Sequence, residues 1–156
     1  METEQLVSLY NKYCNQIYRL ALSYTCSPQD AEDIVQSVFL KLYEKNPKLD
    51  KEKEKAWLTQ VTVNCCKDLL KSYWRRNKKD FDSISESQLT YMTEEESELF
   101  LAVMNLPLKY RIVVHLHYYE GYSFKEISKF LKISTSAVSM RLYRSRELLR
   151  EQLKEE

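Results

Sequence analysis

The sequence predicts an all-α fold built as two small helical domains. Three observations carry that reading. The chain has a single Gly and three Pro in 156 residues, so few positions break a helix. Apolar residues recur three and four apart through both halves, the period of amphipathic helices. The pattern lapses once, where composition shifts. From Asp80 to Glu98 there are seven acids and no Lys or Arg. The aperiodic run Ser83-Ile84-Ser85-Glu86-Ser87-Gln88 lies within that segment and reads as a flexible linker. The expected division is therefore a three-helix domain over 1–79, a linker over 80–92 and a four-helix domain over 93–156. The length suits one domain or two small ones.

The first helix is expected over residues 4–25, with Leu6, Leu9, Tyr10, Tyr13, Ile17, Leu20, Ala21 and Tyr24 on its apolar side. Ser27 followed by Pro28 reads as an N-cap and first helical position, so a second helix starts there. Asp30, Glu32 and Asp33 sit in its first turns, where the helix dipole favours acids. Ala31, Ile34, Val35, Val38 and Leu42 form its inner stripe. Gln36, Phe39, Leu40 and Tyr43 fall outside that stripe. They suit either a surface that docks on a partner or a helix wedged between two others. Asn46-Pro47-Lys48-Leu49-Asp50 breaks the pattern as a loop. A third helix is expected from about Lys53 to Arg76. Its inner stripe is Trp57 or Leu58, then Val61, Cys65 and Leu69. Tyr73 and Trp74 stand among Arg75, Arg76 and other cations at its end. Rings interleaved with cations suit single-stranded nucleic acid, although a solvated helix end would carry the same residues.

The second domain is expected to open at Thr93, paired with Glu96 as a capping box. Leu99, Phe100, Val103 and Leu106 give a short helix. Pro107 opens the next helix, and Gly121 ends it as a left-handed cap. The last stretch, Gly121 to Leu153, reads as a helix-turn-helix. Ser123 and Glu126 form a capping box, and Phe124, Ile127 and Leu131 mark the buried face of the first helix. Lys132-Ile133 is the turn and Ser134 the N-cap of the second helix. Val138, Leu142, Ser145 and Leu149 form its inner stripe. Thr135, Ser136, Ser139, Met140, Arg141, Tyr143 and Arg144 lie on or beside the outer face. A solvated helical hairpin would also show a charged face. The tight turn, the small hydroxyls and the preference for Arg over Lys favour a helix that enters a DNA major groove.

The net charge of +1 excludes a polycation, so nucleic-acid binding must come from local patches. No apolar run is long enough to span a bilayer, and no signal peptide is expected. The expected compartment is the cytoplasm, with no membrane insertion. Cys14, Cys26, Cys65 and Cys66 lack C-x-x-C spacing and are expected to be reduced and mostly buried. His115 and His117 are the only histidines and diverge on a helix, so neither metal nor cofactor is expected. No Gly-rich phosphate loop exists, and catalysis would have to rest on carboxylates alone. A dimeric DNA-binding regulator is the competing reading, but it leaves the acidic second helix and aromatic-basic third helix without a role.

The chain resembles bacterial RNA polymerase sigma factors, and more narrowly the extracytoplasmic-function group of the sigma-70 family. The resemblance rests on Asp30-Ala31-Glu32-Asp33-Ile34-Val35-Gln36 with Phe39, Leu40 and Lys41, then on Trp57-Leu58 and Val63-Asn64. In the second half it rests on Leu106 to Arg111, Tyr118 to Ser123, Glu126-Ile127 and Val138 to Arg146. It covers nearly all of the chain except the linker.

The family implies roles that spacing does not supply. The acidic helix would grip core RNA polymerase through Asp30, Glu32, Asp33, Gln36, Phe39 and Leu40. Lys48, Lys53, Lys55, Trp57, Asn64, Tyr73, Trp74, Arg75 and Arg76 would serve minus-10 recognition and opening. Ser134, Thr135, Ser136, Ser139, Met140, Arg141, Tyr143 and Arg144 would read the minus-35 duplex. The family also implies promoter DNA and an anti-sigma factor as partners, and a free protein that is a monomer. No appended sensor domain is expected after Glu156. Two positions depart from the family's habit: it often has Ala where Ser145 stands and a cation where Ser139 stands. The missing cation is expected to alter direct readout.

Overall fold

The computed structural model describes residues 1–76 and 94–154, with side chains described for 1–72 and 98–154. The chain separates into two compact units, Met1–Ser83 and Ile84–Glu156. The described parts of both units are helical. The expected 80–92 linker and the Thr93–Glu96 capping box lie outside the described residues.

The first unit holds α1 (Thr3–Thr25), α2 (Pro28–Lys45) and α3 (Lys51–Arg76), each packed on the other two. Leu9, Tyr13, Ile17, Leu20, Ala21 and Tyr24 of α1 are buried, as their spacing requires. Cys26 ends α1 in the left-handed region, its N–H donating to Leu22 O at 2.8 Å. Ser27 then caps α2: its Oγ accepts from Asp30 N at 3.2 Å, and Pro28 follows at the first helical position. The stripe Ala31, Ile34, Val35, Val38, Leu42 is buried in full.

Phe39 corrects the expected docking surface. It is 7% exposed, and its ring centroid lies 4.9 Å from that of Tyr10. The helix is wedged between two others, so its buried arc is wider than the minimal stripe and takes in the residue at its edge.

The inner face of α3 also differs from expectation. Leu58 is buried rather than Trp57, and the face continues through Thr59, Thr62, Val63, Cys65 and Cys66. Val61 and Leu69 are only partly covered. Two threonines sit inside because a helix can hide a hydroxyl on its own backbone; Thr62 Oγ1 donates to Leu58 O at 2.6 Å. Cys26, Cys65 and Cys66 are buried free thiols, and Cys14 is partly buried. Burial, and secondarily the neighbouring Cys65, push the Cys66 thiol well up from its ordinary range. It therefore stays protonated and unreactive. Tyr13 ties α1 to α3, its hydroxyl donating to Glu54 Oε2 at 3.0 Å beside Lys12 Nζ at 3.7 Å.

The second unit holds α4 (Glu94–Met104), α5 (Leu108–Val114) with a π-helical continuation (His115–Tyr119), α6 (Phe124–Leu131) and α7 (Thr135–Lys154). Pro107 is the N-cap of α5 rather than its first residue. Arg111 is buried at 2% exposure, and its Nη1 donates to Met104 O at 3.3 Å and Leu106 O at 3.1 Å. These carbonyls at and just beyond the end of α4 gain a donor and a positive charge at the favoured end of a helix dipole.

The helix before Gly121 ends in a widened turn that periodicity does not reveal. Glu120 N donates to His115 O at 3.0 Å, five residues back. Gly121 takes φ +77°, the left-handed value for which a glycine was expected. Both histidines hold this turn: His115 Nε2 lies 3.2 Å from Glu120 Oε1, and His117 Nδ1 2.8 Å from Tyr122 O.

Candidate polymerase-docking and nucleic-acid interfaces

The helix-turn-helix is fixed by local chemistry at each joint. At α6, Glu126 N donates to Ser123 Oγ and Ser123 N to Glu126 Oε1, both at 3.1 Å. That reciprocal pair satisfies two orphan donors. Ile127, Phe130 and Leu131 are buried, and Tyr122 packs edge-on against Phe130 with centroids 4.7 Å apart. Lys132 turns the chain at φ 58°, and Ile133 is half-buried between the helices. Ser134 Oγ then accepts from Ala137 N at 3.0 Å and starts α7.

Helix α7 has two distinct faces. Val138, Leu142 and Ser145 are sealed. Ser145 is wholly buried, its Oγ donating to Arg141 O at 2.6 Å and lying 3.4 Å from Tyr110 O on α5. Thr135, Ser136, Ser139, Met140, Tyr143 and Arg144 are exposed, and Arg141 is partly so. The expected DNA-reading residues therefore form one outward surface. Its two large apolar members are Met140 and Tyr143, 56% and 58% exposed.

A hollow of about 380 Å³ that periodicity does not reveal lies beside this surface. Ala137, Met140, Arg141 and Arg144 line it from α7, and Lys109 and Tyr110 from α5. Lys109 Nζ sits 5.0 Å from the centre of the Tyr110 ring.

In the first unit, α2 turns Glu32, Asp33, Gln36 and Leu40 to solvent, with Leu40 57% exposed. Asp30 is half-buried at the N-terminal turn. Tyr43, outside the expected docking set, joins this outer face at 55% exposure. The face thus combines acids with two uncovered apolar side chains, without Phe39.

On α3, Lys53, Trp57, Gln60 and Asn64 succeed one another at steps of four, three and four, and so share one stripe opposite the buried face. Gln60 Nε2 donates to Asn64 Oδ1 at 3.1 Å. Lys53 and Asn64 are exposed and Trp57 is half-exposed. Lys48 is exposed in the loop before α3. Lys55 lies well round the helix from this stripe and is partly buried. The side chains of Tyr73, Trp74, Arg75 and Arg76 lie outside the described residues. Among the described residues no group of three potential ligands could hold a metal ion.

Comparison with known proteins bears on both units. Residues 9–76 match the model of sigma-70 region 2, and residues 96–149 that of sigma-70 region 4. The chain is 31% identical to the ECF RNA polymerase sigma factor SigM of Bacillus subtilis, over 91% of each protein. It is 28% identical to the RNA polymerase sigma factor SigV of the same species, over 97% of this chain and 92% of the relative. Its fold is similar to that of the sigma factor RpoE from Bartonella quintana, solved in complex with the anti-sigma factor NepR. That likeness has a TM-score of 0.79 at 20% identity and covers 97% of this chain and 95% of the other. Two region matches that together span most of the chain, with near-full coverage of SigM at 31% identity, establish that the chain belongs to the extracytoplasmic-function group of the sigma-70 family of RNA polymerase sigma factors.

Proposed function

We propose a division of labour between the two units of this sigma factor. As a member of its family the protein is a non-enzymatic factor that directs promoter-specific transcription initiation by RNA polymerase. The outer face of α2, with Glu32, Asp33, Gln36, Leu40 and Tyr43, docks on core polymerase. The Lys48 loop and the outer stripe of α3, with Lys53, Trp57 and Asn64, engage the minus-10 element as its strands part. An amphipathic ring and cations at one site suit stacking on an extruded base beside phosphates. Helix α7 reads the minus-35 duplex in the major groove. The domain limits we assign are 1–79 and 93–156, with 80–92 as connector.

The observation that carries this reading is the two-sidedness of α7. Its inner residues are sealed against α5 and α6, while hydroxyl, apolar and guanidinium groups are left together on the outside. An anti-sigma factor is the natural regulator: the solved neighbours are sigma factors captured with such proteins, RpoE with NepR and CnrH with the cytosolic domain of CnrY. The uncovered Leu40 and Tyr43 give such a partner apolar surface to occlude. The working compartment is that of the polymerase, the cytoplasm. No helix among the described residues is long and apolar enough to cross a membrane.

In vitro transcription tests the proposal. Purified protein, core polymerase and genomic fragments should yield discrete new start sites, each preceded by a common pair of elements. Initiation no different from that of core polymerase alone would overturn it.

A further inference from the structure

The hollow between α5 and α7 has a chemistry that the general DNA-reading role does not explain. It is lined by Tyr110, Ala137 and Met140, which offer apolar surface. Its other members are Lys109, Arg141 and Arg144, cations whose long stems are themselves apolar. A site made only to hold phosphate would not need an exposed thioether at its edge. A site made for apolar protein would not be ringed by three cations. An apolar group carried on a polyanion satisfies both halves. In a DNA major groove the only such group on an unmodified base edge is the C5 methyl of thymine. Met140 stands one helical turn after Ser136 and one before Arg144, within the surface that would face the base edges. Its unbranched, polarisable side chain adapts to a methyl without demanding one geometry.

We infer that Met140 is a specificity-determining residue that reads a thymine methyl in the upstream promoter element, with Tyr110 and Ala137 completing the apolar seat. Lys109, from outside the helix-turn-helix, holds the adjacent phosphate. The inference rests on α7 being the reading helix and adds which base feature it selects. It also gives the face that lacks a cation at Ser139 a different means of discrimination, by apolar contact.

Replacing thymine by deoxyuridine removes only the methyl and leaves base pairing and hydrogen-bonding edges intact. The probe is a duplex selected from a randomised library by the full chain bound to core polymerase. Thymines in its upstream box are then changed to deoxyuridine one at a time. Burial of one methyl corresponds to about fourfold in affinity. Wild-type holoenzyme should therefore lose about fourfold at one position or two neighbouring ones. Met140→Ala should bind the thymine and deoxyuridine duplexes equally, and Met140→Leu should restore the difference. Met140 is exposed, so these variants leave the core intact.

Wild-type holoenzyme indifferent to every deoxyuridine would overturn the inference. So would Met140→Ala with undiminished methyl sensitivity, or selected boxes without thymine. A transversion at each box position separates this from failure of the broader reading. If methyl removal is silent while transversions weaken binding, only the Met140 assignment falls. If transversions are silent too, α7 does not read this duplex.

Discussion

Phe39 and Leu40 are adjacent, yet one is 7% exposed and the other 57%. Truncating Phe39 to Ala removes a ring from the joint with Tyr10 and should cost about 3–5 kcal/mol, as buried aromatic truncations do. Leu40→Ala and Tyr43→Ala should each move stability by less than about 0.5 kcal/mol, the usual range for surface sites. Thermal melts of the three variants check this directly. Tyr13 offers a pH-dependent case. Burial first, and the Glu54 carboxylate second, raise its hydroxyl above the ordinary value of 10. A group raised on folding stabilises the protein below its unfolded value and loses that contribution as pH rises through the folded one. Tyr13→Phe should therefore cost about 1–3 kcal/mol near neutrality, for a hydrogen bond to a charged acceptor. The gap from wild type should shrink at pH above 10, and chemical denaturation across that range would show it. Arg144 is exposed, and in the proposed reading it serves DNA binding rather than folding. Arg144→Ala should weaken upstream-box binding by about 1–3 kcal/mol if it contacts a base, with discrimination lost at one position. Uniform weakening across all box variants would make it a phosphate contact instead.

At the scale of elements, the caps were legible and the widened turn was not. Ser27, Ser123 and Ser134 all accept the predicted backbone N–H, because capping depends on a side chain and a donor two or three residues away. Gly121 was legible for a similar reason: a left-handed cap favours glycine. The π turn at His115–Tyr119 has no such local signature. It is closed by backbone bonds, Glu120 N to His115 O and Tyr122 N to Leu116 O, both at 3.0 Å, which any residues could make. The inner face of α3 misled because Thr59 and Thr62 read as polar while the helix hides the Thr62 hydroxyl on its own carbonyl. The hollow beside α7 was illegible because it joins Lys109 and Tyr110 to residues some thirty positions later. One element stores strain that can be relieved. Lys132 ends α6 in the left-handed region, at a position where Gly is the favoured residue. It is solvent-exposed, so Lys132→Gly should raise the melting temperature of the second unit by an amount corresponding to about 0.5–1 kcal/mol. A lower melting temperature would mean that the Lys132 side chain makes a contact worth more than the strain.

The two units carry different surfaces, and the proposed division of tasks rests on that difference. The first presents acids with Leu40 and Tyr43 on α2, and cations with Trp57 near and on α3. The second presents hydroxyls, Met140, Tyr143 and arginines on α7. The central claim is that α2 holds polymerase while α7 holds DNA, so that damage to one face spares the other. The direct measurement is the affinity of the full chain for core RNA polymerase after Asp33→Ala with Leu40→Ala. Both residues are exposed, so the double variant should melt within a few degrees of wild type. Loss of a central interface side chain costs about 2 kcal/mol or more, so core affinity should fall at least about thirtyfold. Normal melting together with wild-type affinity for core polymerase would contradict the account.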